Sequence, residues 1–213
     1  PPPPLFQAED GIRDPPYSLV GSEMCIRDRS SSRSAKGAGV EIRLTSRHVW
    51  LSALLCGCAG LLLLIPLLFV FQDEGFRRAA LPVAASSALF WGVVALIAIL
   101  RFWELYYGYF YPRWIRWLVP LDLALYGAIG LGLWWLALRL PGPVVLSFVL
   151  LGGVEGVAEH VVGILGLRIL DRVPWLQGLA PLPILIFSFF EYVLYWTLVA
   201  WLAWGLAQLL PAG

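Results

Sequence analysis

Charged side chains are scarce in this sequence. Asp, Glu, Lys and Arg together make up 14% of its 213 residues, whereas a soluble domain carries about a quarter. Lys36 is the only lysine, and histidine occurs only as His48 and His160. This scarcity excludes an ordinary water-soluble domain. A formal net charge of +1 offers no strongly basic surface, so we expect no nucleic-acid partner.

The common catalytic motifs are also missing. The sequence contains no P-loop, no HExxH, no GxSxG and no lysine within an apolar segment that could form a Schiff base. Cys56 and Cys58 are two residues apart, and helical side chains at this spacing point about 200° apart. We therefore interpret both cysteines as small packing residues. The sequence identifies no cofactor.

Residues 1–29 differ in character from the rest of the chain. Residues 7–14, QAEDGIRD, and residues 18–29, SLVGSEMCIRDR, resemble in-frame translations of sequencing-adapter DNA. We interpret residues 1–29 as a non-native, disordered segment outside the fold; a natural proline-rich tail is the alternative. Without them the chain keeps 12 basic and 9 acidic residues and loses its only methionine, Met24. We therefore expect the true N-terminus to be lost.

The abundant residues are apolar. Hydrophobic residues make up 60% of the chain, and the mean hydropathy is +0.78. They form runs of about twenty residues, the length that crosses about 30 Å of hydrocarbon. This pattern predicts an all-α, polytopic membrane helix bundle over residues 48–210, preceded by a basic arm at residues 30–47. The five predicted spans are residues 49–71, 79–100, 117–138, 144–167 and 182–209.

Basic residues are concentrated on alternate loops. If the N-terminus is cytoplasmic, nine Lys and Arg residues lie inside and three lie outside. The positive-inside rule therefore predicts an N-in, C-out orientation. The inside set is Arg33, Lys36, Arg43, Arg47, Arg101, Arg113, Arg116, Arg168 and Arg172, and the outside set is Arg77, Arg78 and Arg139. Because arginine far outnumbers lysine, we expect a GC-rich prokaryotic gene and a multi-pass protein of the plasma membrane.

Tryptophan occurs eleven times, often near the ends of predicted spans. Examples are Trp50, Trp103, Trp114, Trp117, Trp175 and Trp204. This distribution is typical of an aromatic belt in the headgroup region. The aromatic-rich segment at residues 102–117 could instead bind a lipid headgroup or a substrate.

Four acidic residues lie inside predicted spans, without a Lys or Arg in any span interior. Burying such a group costs at least ~2.5–3.5 kcal/mol on insertion scales, so intramembrane acids usually face the bundle interior and are functional. Four carboxyl groups without a basic partner cannot all be ionised in a low dielectric. They therefore hold protons or surround a cation. The predicted catalytic residues are Asp122, Glu155, Glu159 and Glu191.

The depths of these acids predict that they converge. Counted from the cytoplasmic ends of their predicted spans, Glu159 and Glu191 both lie about 13 Å into the membrane. Asp122 lies roughly 7 Å into its span, and Glu155 is one turn from Glu159 on the same face. We therefore predict one site in the cytoplasmic half of the bundle.

Polar neighbours follow the acids at helical spacing. Tyr126 follows Asp122 by four residues, and Ser188 and Tyr195 flank Glu191. The predicted substrate-binding residues are Tyr126, Ser188, Tyr195 and His160. Three glycines on the fourth span, Gly152, Gly156 and Gly163, have the small-residue spacing that brings membrane helices close together.

A metal site is a weaker interpretation of the same residues. Its ligands would be Glu155, Glu159, His160 and Glu191. In a helix, however, His160 points well away from the face shared by Glu155 and Glu159. The Glu-x-x-His spacing of carboxylate-bridged metal bundles is absent. A hydrogen-bonded structural histidine is the alternative.

Three functions remain open. The preferred one is a membrane-embedded enzyme that acts on a lipid or isoprenoid by acid–base chemistry. The second is a small transporter coupled to protons or cations. The third is a non-catalytic subunit whose acids pair with basic residues on a partner's helix.

Overall fold

The computed structural model describes residues 44–102, 115–172 and 176–209, and these are all-helical, without a strand. The non-native interpretation of residues 1–29 falls outside the described residues. So do the basic arm up to residue 43, the aromatic segment at residues 103–114, and Trp175.

Five helices in the described ranges are long and apolar enough to cross a membrane, as predicted. They are α1 (Ser46–Val70), α3 (Ala80–Phe102), α4 (Ile115–Ala137), α5 (Val144–Val161) and α7 (Pro181–Leu209). Two short helices lie between them, α2 (Asp73–Arg77) and α6 (Ile169–Arg172). A π-helical turn, Val162–Gly166, continues α5. The architecture is compatible with a multi-pass membrane protein, and its N-in, C-out orientation stays a prediction.

Side chains fix the ends of two spans. Thr45 and His48 form a capping box at the start of α1, where the Thr45 backbone N–H donates to His48 Nδ1 at 3.2 Å. At the opposite end of α1, Asp73 Oδ1 accepts a hydrogen bond from the Val144 backbone N–H at 2.9 Å. This contact satisfies a free N–H at the start of α5. His48 is thus part of a helix cap.

The last helix, α7, packs against α1, α3 and α5, and α4 packs on α3. Nine of the 29 residues of α7 are buried: Ile184, Ser188, Tyr192, Val193, Trp196, Thr197, Val199, Ala200 and Ala203. Trp201 Nε1 also donates to the Leu63 carbonyl oxygen of α1 at 3.0 Å. Polar groups in the middle of α7 therefore face other helices of the same chain.

Glycines on α5 make room for aromatic rings of α7. A Cβ atom at Gly152 would lie 2.1 Å from Trp196 Cδ1, and one at Gly156 would lie 2.1 Å from Tyr192 Cγ. No side chain fits at these distances, so both rings lie directly on the α5 backbone. Gly163 differs, because its nearest neighbour, Ile169 Cδ1, would be 3.4 Å from an added Cβ atom. The small-residue spacing thus makes room for the Trp196 ring at Gly152 and for the Tyr192 ring at Gly156.

Candidate functional site

Glu159 is held by two tyrosines from two other helices. Its Oε1 accepts a hydrogen bond from the Tyr126 hydroxyl of α4, and its Oε2 accepts one from the Tyr192 hydroxyl of α7, each at 2.5 Å. Both carboxyl oxygens therefore have a donor. An ionised carboxylate is an acceptor only, so this environment suits a charged Glu159.

Glu155, one turn earlier on α5, receives a donor on one oxygen only. Its Oε2 accepts a hydrogen bond from Trp196 Nε1 at 3.2 Å. Its Oε1 is buried and receives no hydrogen bond from a donor group among the described residues. The Glu155 carboxyl group also lies within hydrogen-bonding range of the Glu159 carboxyl group, so one proton can be shared between the two. The two neighbouring carboxyl groups therefore differ in their hydrogen bonding.

A short sequence repeat explains how α5 and α7 meet. Residues 152–159, GGVEGVAE, contain Gly-x-x-Glu twice, four residues apart. Each glycine lies against an aromatic ring of α7, and the glutamate three residues later accepts a hydrogen bond from the polar atom of that side chain. Gly152 contacts the Trp196 ring, whose Nε1 binds Glu155, and Gly156 contacts the Tyr192 ring, whose hydroxyl binds Glu159. The spacing of four suits two facing helices, because residues four apart lie on one face.

Trp91 of α3 lies at the centre of an aromatic cluster that surrounds these groups. Its indole stacks on Tyr126, with ring centroids 4.1 Å apart and an interplanar angle of 16°. Its centroid is also 5.2 Å from that of Tyr192, 5.5 Å from that of Tyr195 and 6.5 Å from that of Trp196. We call these five residues the aromatic cluster. Trp91 is only 5% exposed, and its Nε1 has no partner among the described residues.

Glu191 has a different set of neighbours. Its Oε1 accepts a hydrogen bond from the Tyr195 hydroxyl, one turn later on α7, at 2.7 Å. Its carboxyl group lies within electrostatic range of the His160 ring and of the Cys56 thiol. Glu159 and Glu191 thus use different tyrosines. Their predicted membership of one site stays a prediction.

Tyr192 binds Glu159 and also contacts two neighbours of Glu191, His160 and Tyr195. Its hydroxyl binds Glu159, while its ring lies 5.9 Å from the His160 ring and 5.8 Å from the Tyr195 ring, measured between centroids. His160 Nδ1 lies 2.9 Å from the Gly156 carbonyl oxygen. Because a carbonyl oxygen only accepts, His160 Nδ1 carries a proton. His160 is therefore a hydrogen-bonded histidine within electrostatic range of Glu191.

The geometry gives the metal interpretation no support. Within the described residues, no three His, Cys, Asp or Glu side chains are arranged to hold a metal ion. His160 faces Tyr192, and its Nδ1 is engaged by its own helix. Cys56 and Cys58 are free thiols, the first half-buried and the second exposed.

The other two predicted residues lie at the margins. Asp122 is half-buried, one turn before Tyr126, and within electrostatic range of Glu159. Ser188 is buried, but its hydroxyl donates to the Leu185 carbonyl oxygen of its own helix at 2.8 Å. That bond occupies the Ser188 proton, so Ser188 can offer a ligand only its oxygen lone pairs.

Three residues at this site were not among the predicted ones: Trp91, Tyr192 and Trp196. Tyr192 and Trp196 are four residues apart, as are Glu155 and Glu159, and this matched spacing was the available signal. Trp91 offered no such signal, because only the packing of α3 brings it to the carboxyl groups. No family of known proteins, no curated protein and no solved structure matches the chain.

Proposed function

We propose that this protein is a membrane-embedded enzyme that acts on a lipid or isoprenoid by acid–base chemistry at Glu155 and Glu159. The observation that carries the proposal is their unequal hydrogen bonding. Glu159 receives a hydroxyl donor on each oxygen, while Glu155 receives one donor, Trp196 Nε1, and lies within hydrogen-bonding range of Glu159 itself.

The unequal hydrogen bonding supports a state in which the carboxyl groups of Glu155 and Glu159 hold one proton between them. Two carboxylates one turn apart cannot both ionise in a low dielectric without a cation. The two tyrosine hydroxyls stabilise the charge on Glu159, so the shared proton belongs on Glu155. Glu155 then acts as the general acid and Glu159 as the general base. Neighbouring titratable groups in different environments are the usual arrangement for such a division of roles.

The surroundings favour an apolar substrate. The aromatic cluster lies beside the pair, within helices that can cross a membrane. A lipid or isoprenoid would reach such a site from the bilayer. Because both carboxyl groups already bind side chains of their own chain, they do not need a basic partner helix. This favours an enzyme over a non-catalytic subunit.

Solvent deuterium provides a test that does not require the substrate to be known. The purified protein in lipid nanodiscs is incubated in D₂O with membrane lipid extracts and a panel of isoprenoids. Proton transfer to carbon would incorporate deuterium, which mass spectrometry detects. We expect Glu155→Gln and Glu159→Gln to lower incorporation by about 10²–10⁴-fold, the usual contribution of a general acid or base.

Glu74→Gln is the matched control, since Glu74 is exposed and forms an ion pair with Arg78, four residues later. It should incorporate deuterium at the wild-type rate. Folded wild-type protein that labels no compound in the panel would refute the enzymatic proposal. So would labelling that persists in both site variants.

A proton-coupled transporter is the second candidate, and Tyr192 is the observation that favours it. Its contacts link Glu159 to His160, which lies within electrostatic range of Glu191. Chains of carboxyl groups and histidines relay protons in membrane transporters. Liposomes loaded with a pH-sensitive dye would report such a relay as proton uptake that Glu191→Gln abolishes. Uptake equal to that of empty liposomes would exclude it.

A further inference from the structure

Trp91 of α3 is a common neighbour of the two tyrosines that bind Glu159. Its ring centroid lies 4.1 Å from that of Tyr126 and 5.2 Å from that of Tyr192. Both tyrosine hydroxyl groups donate to the Glu159 carboxyl group. Trp91 is itself only 5% exposed, so packing fixes its ring. The indole therefore lies where it can hold the donors of Glu159 in place.

The contact of Trp91 with Tyr126 differs in kind from its contacts with the other tyrosines. The rings of Trp91 and Tyr126 are nearly parallel, with an interplanar angle of 16°. The corresponding angle is 38° for Tyr192 and 86° for Tyr195. A stacked partner covers one face of the phenol ring and restricts both its tilt and its position. Because the hydroxyl oxygen lies in the plane of that ring, the stack also restricts where the hydroxyl group points.

The position of Tyr126 is set by α3. Tyr126 lies on α4, which packs more extensively on α3 than on α5. The two helices approach closely at two points that flank the stacked pair along both chains. A Cβ atom at Gly130 would lie 2.0 Å from Ser87 Oγ, and one at Gly92 would lie 2.6 Å from Leu123 Cδ2. Tyr126 therefore reaches towards α5 from a place that α3 determines.

We propose that Trp91 is a positioning residue for Glu159, on which it acts by holding the Tyr126 hydroxyl against the carboxyl group. This inference rests on the proposed function, in which a charged Glu159 is the base. Donors stabilise a charge best when packing has already fixed their orientation. Without the stacked indole the Tyr126 ring can tilt, its hydroxyl leaves Glu159, and the carboxylate keeps one tyrosine donor instead of two.

Infrared spectroscopy of the full chain in nanodiscs reports the donors to Glu159. The carboxylate band of Glu159 is the one that is missing from Glu159→Gln, and its frequency and intensity depend on the hydrogen bonds that the group accepts. Tyr126→Phe removes one donor and provides the reference change in this band. We expect Trp91→Met, which fills space without a flat ring, to reproduce that change. Trp91→Phe keeps a smaller ring face and should produce a smaller change in the same direction.

A double variant shows whether Trp91 acts through Tyr126. In a Tyr126→Phe background, Trp91→Met should leave the Glu159 band unaltered, because the donor that it would displace is already gone. A general loss of packing would not depend on the Tyr126 hydroxyl in this way. Trp50→Met is the matched control, because Trp50 is 46% exposed on α1, and it should leave the band as in the wild type. If Trp91→Met does not fold, Trp91→Phe is compared in the same two backgrounds.

A Glu159 band that stays unchanged in the folded Trp91 variants would overturn the inference. So would an equal change in the wild-type and Tyr126→Phe backgrounds, since the effect would then act through Tyr192 or through packing in general. The absence of a Glu159 carboxylate band from the wild type would overturn it as well.

The failure of this inference is distinct from the failure of the proposed enzyme, because the infrared band requires no substrate. Failure to incorporate deuterium into any compound of the panel would refute the enzyme, while the expected band changes would still establish the positioning role of Trp91. Normal incorporation with a band that is insensitive to Trp91 would refute only this inference.

Discussion

At the scale of single residues, the state of Glu159 depends on two hydroxyl groups. Tyr126 and Tyr192 come from different helices and each supplies one donor. Hydrogen bonds to charged groups contribute more than neutral ones, about 1.5–3 kcal/mol each in soluble proteins. Bonds between membrane helices average less. In the proposed mechanism the two tyrosines are positioning residues for the charge on Glu159, and their hydrogen bonds join α4, α5 and α7.

Tyr192→Phe tests this role through a double-mutant cycle. In the wild type it should lower the free energy of unfolding by about 1–3 kcal/mol, because one donor to a charged group is lost. In a Glu159→Gln background the loss should be much smaller, since the amide carries no charge. Denaturant unfolding in detergent measures both. Equal losses in the two backgrounds would mean that the Tyr192 hydroxyl does not stabilise a charged Glu159.

At the scale of helices, the sequence predicted the spans and their acids but not the contacts between them. Apolar runs near twenty residues define the five long helices without any knowledge of packing. Tyr126 and Glu159 are 33 residues apart, and their contact depends on how α4 and α5 are rotated about their axes. Helical spacing placed Glu191 and Tyr195 on one face of the last helix, and there the two side chains form a hydrogen bond within that helix.

Two backbone features could not be predicted from the sequence either. α5 changes to a π-helical turn at Val162, two residues after His160, and Arg168 has a positive φ of 52°. The apolar run predicted a single span over residues 144–167. A π turn often lies close to a functional site, and here it directly follows the segment that holds Glu159 and His160.

Gly156→Ala tests whether the fold depends on the close contact between Gly156 and the Tyr192 ring. The added Cβ atom would lie 2.1 Å from Tyr192 Cγ, so the ring or α5 must move and the Glu159 hydrogen bond is disturbed. We expect a loss of about 1–3 kcal/mol in unfolding free energy, the usual cost of overpacking. Thermal unfolding in detergent provides the measurement.

Gly132→Ala is the matched control for this substitution. Gly132 lies in α4, and an added Cβ atom would meet nothing within 4 Å. Alanine favours a helix over glycine by up to about 1 kcal/mol, so this variant should be neutral or more stable. If both alanine variants behave alike, the close contact between Gly156 and Tyr192 is not a determinant of the fold.

At the scale of the whole molecule, orientation decides which side of the membrane is nearer the carboxyl groups. The uneven distribution of basic residues predicts a cytoplasmic N-terminus. Single cysteines at Ser32, Gln72 and Ala212, in a background without Cys25, Cys56 and Cys58, can be treated with an impermeant thiol reagent in intact cells. We expect labelling at positions 72 and 212 but not at 32. The reverse pattern would invert the topology.

The central claim is that Glu155 and Glu159 share one proton, held by Glu155. Infrared spectroscopy distinguishes a protonated carboxyl group from a carboxylate by its C=O stretching band, which shifts in D₂O. At neutral pH, the wild-type minus Glu155→Gln difference spectrum should contain a protonated carboxyl band. The corresponding Glu159→Gln spectrum should contain carboxylate bands, and the Glu74→Gln spectrum should contain no protonated band. A carboxylate signature for Glu155, or a protonated band that disappears only in Glu159→Gln, would contradict the claim.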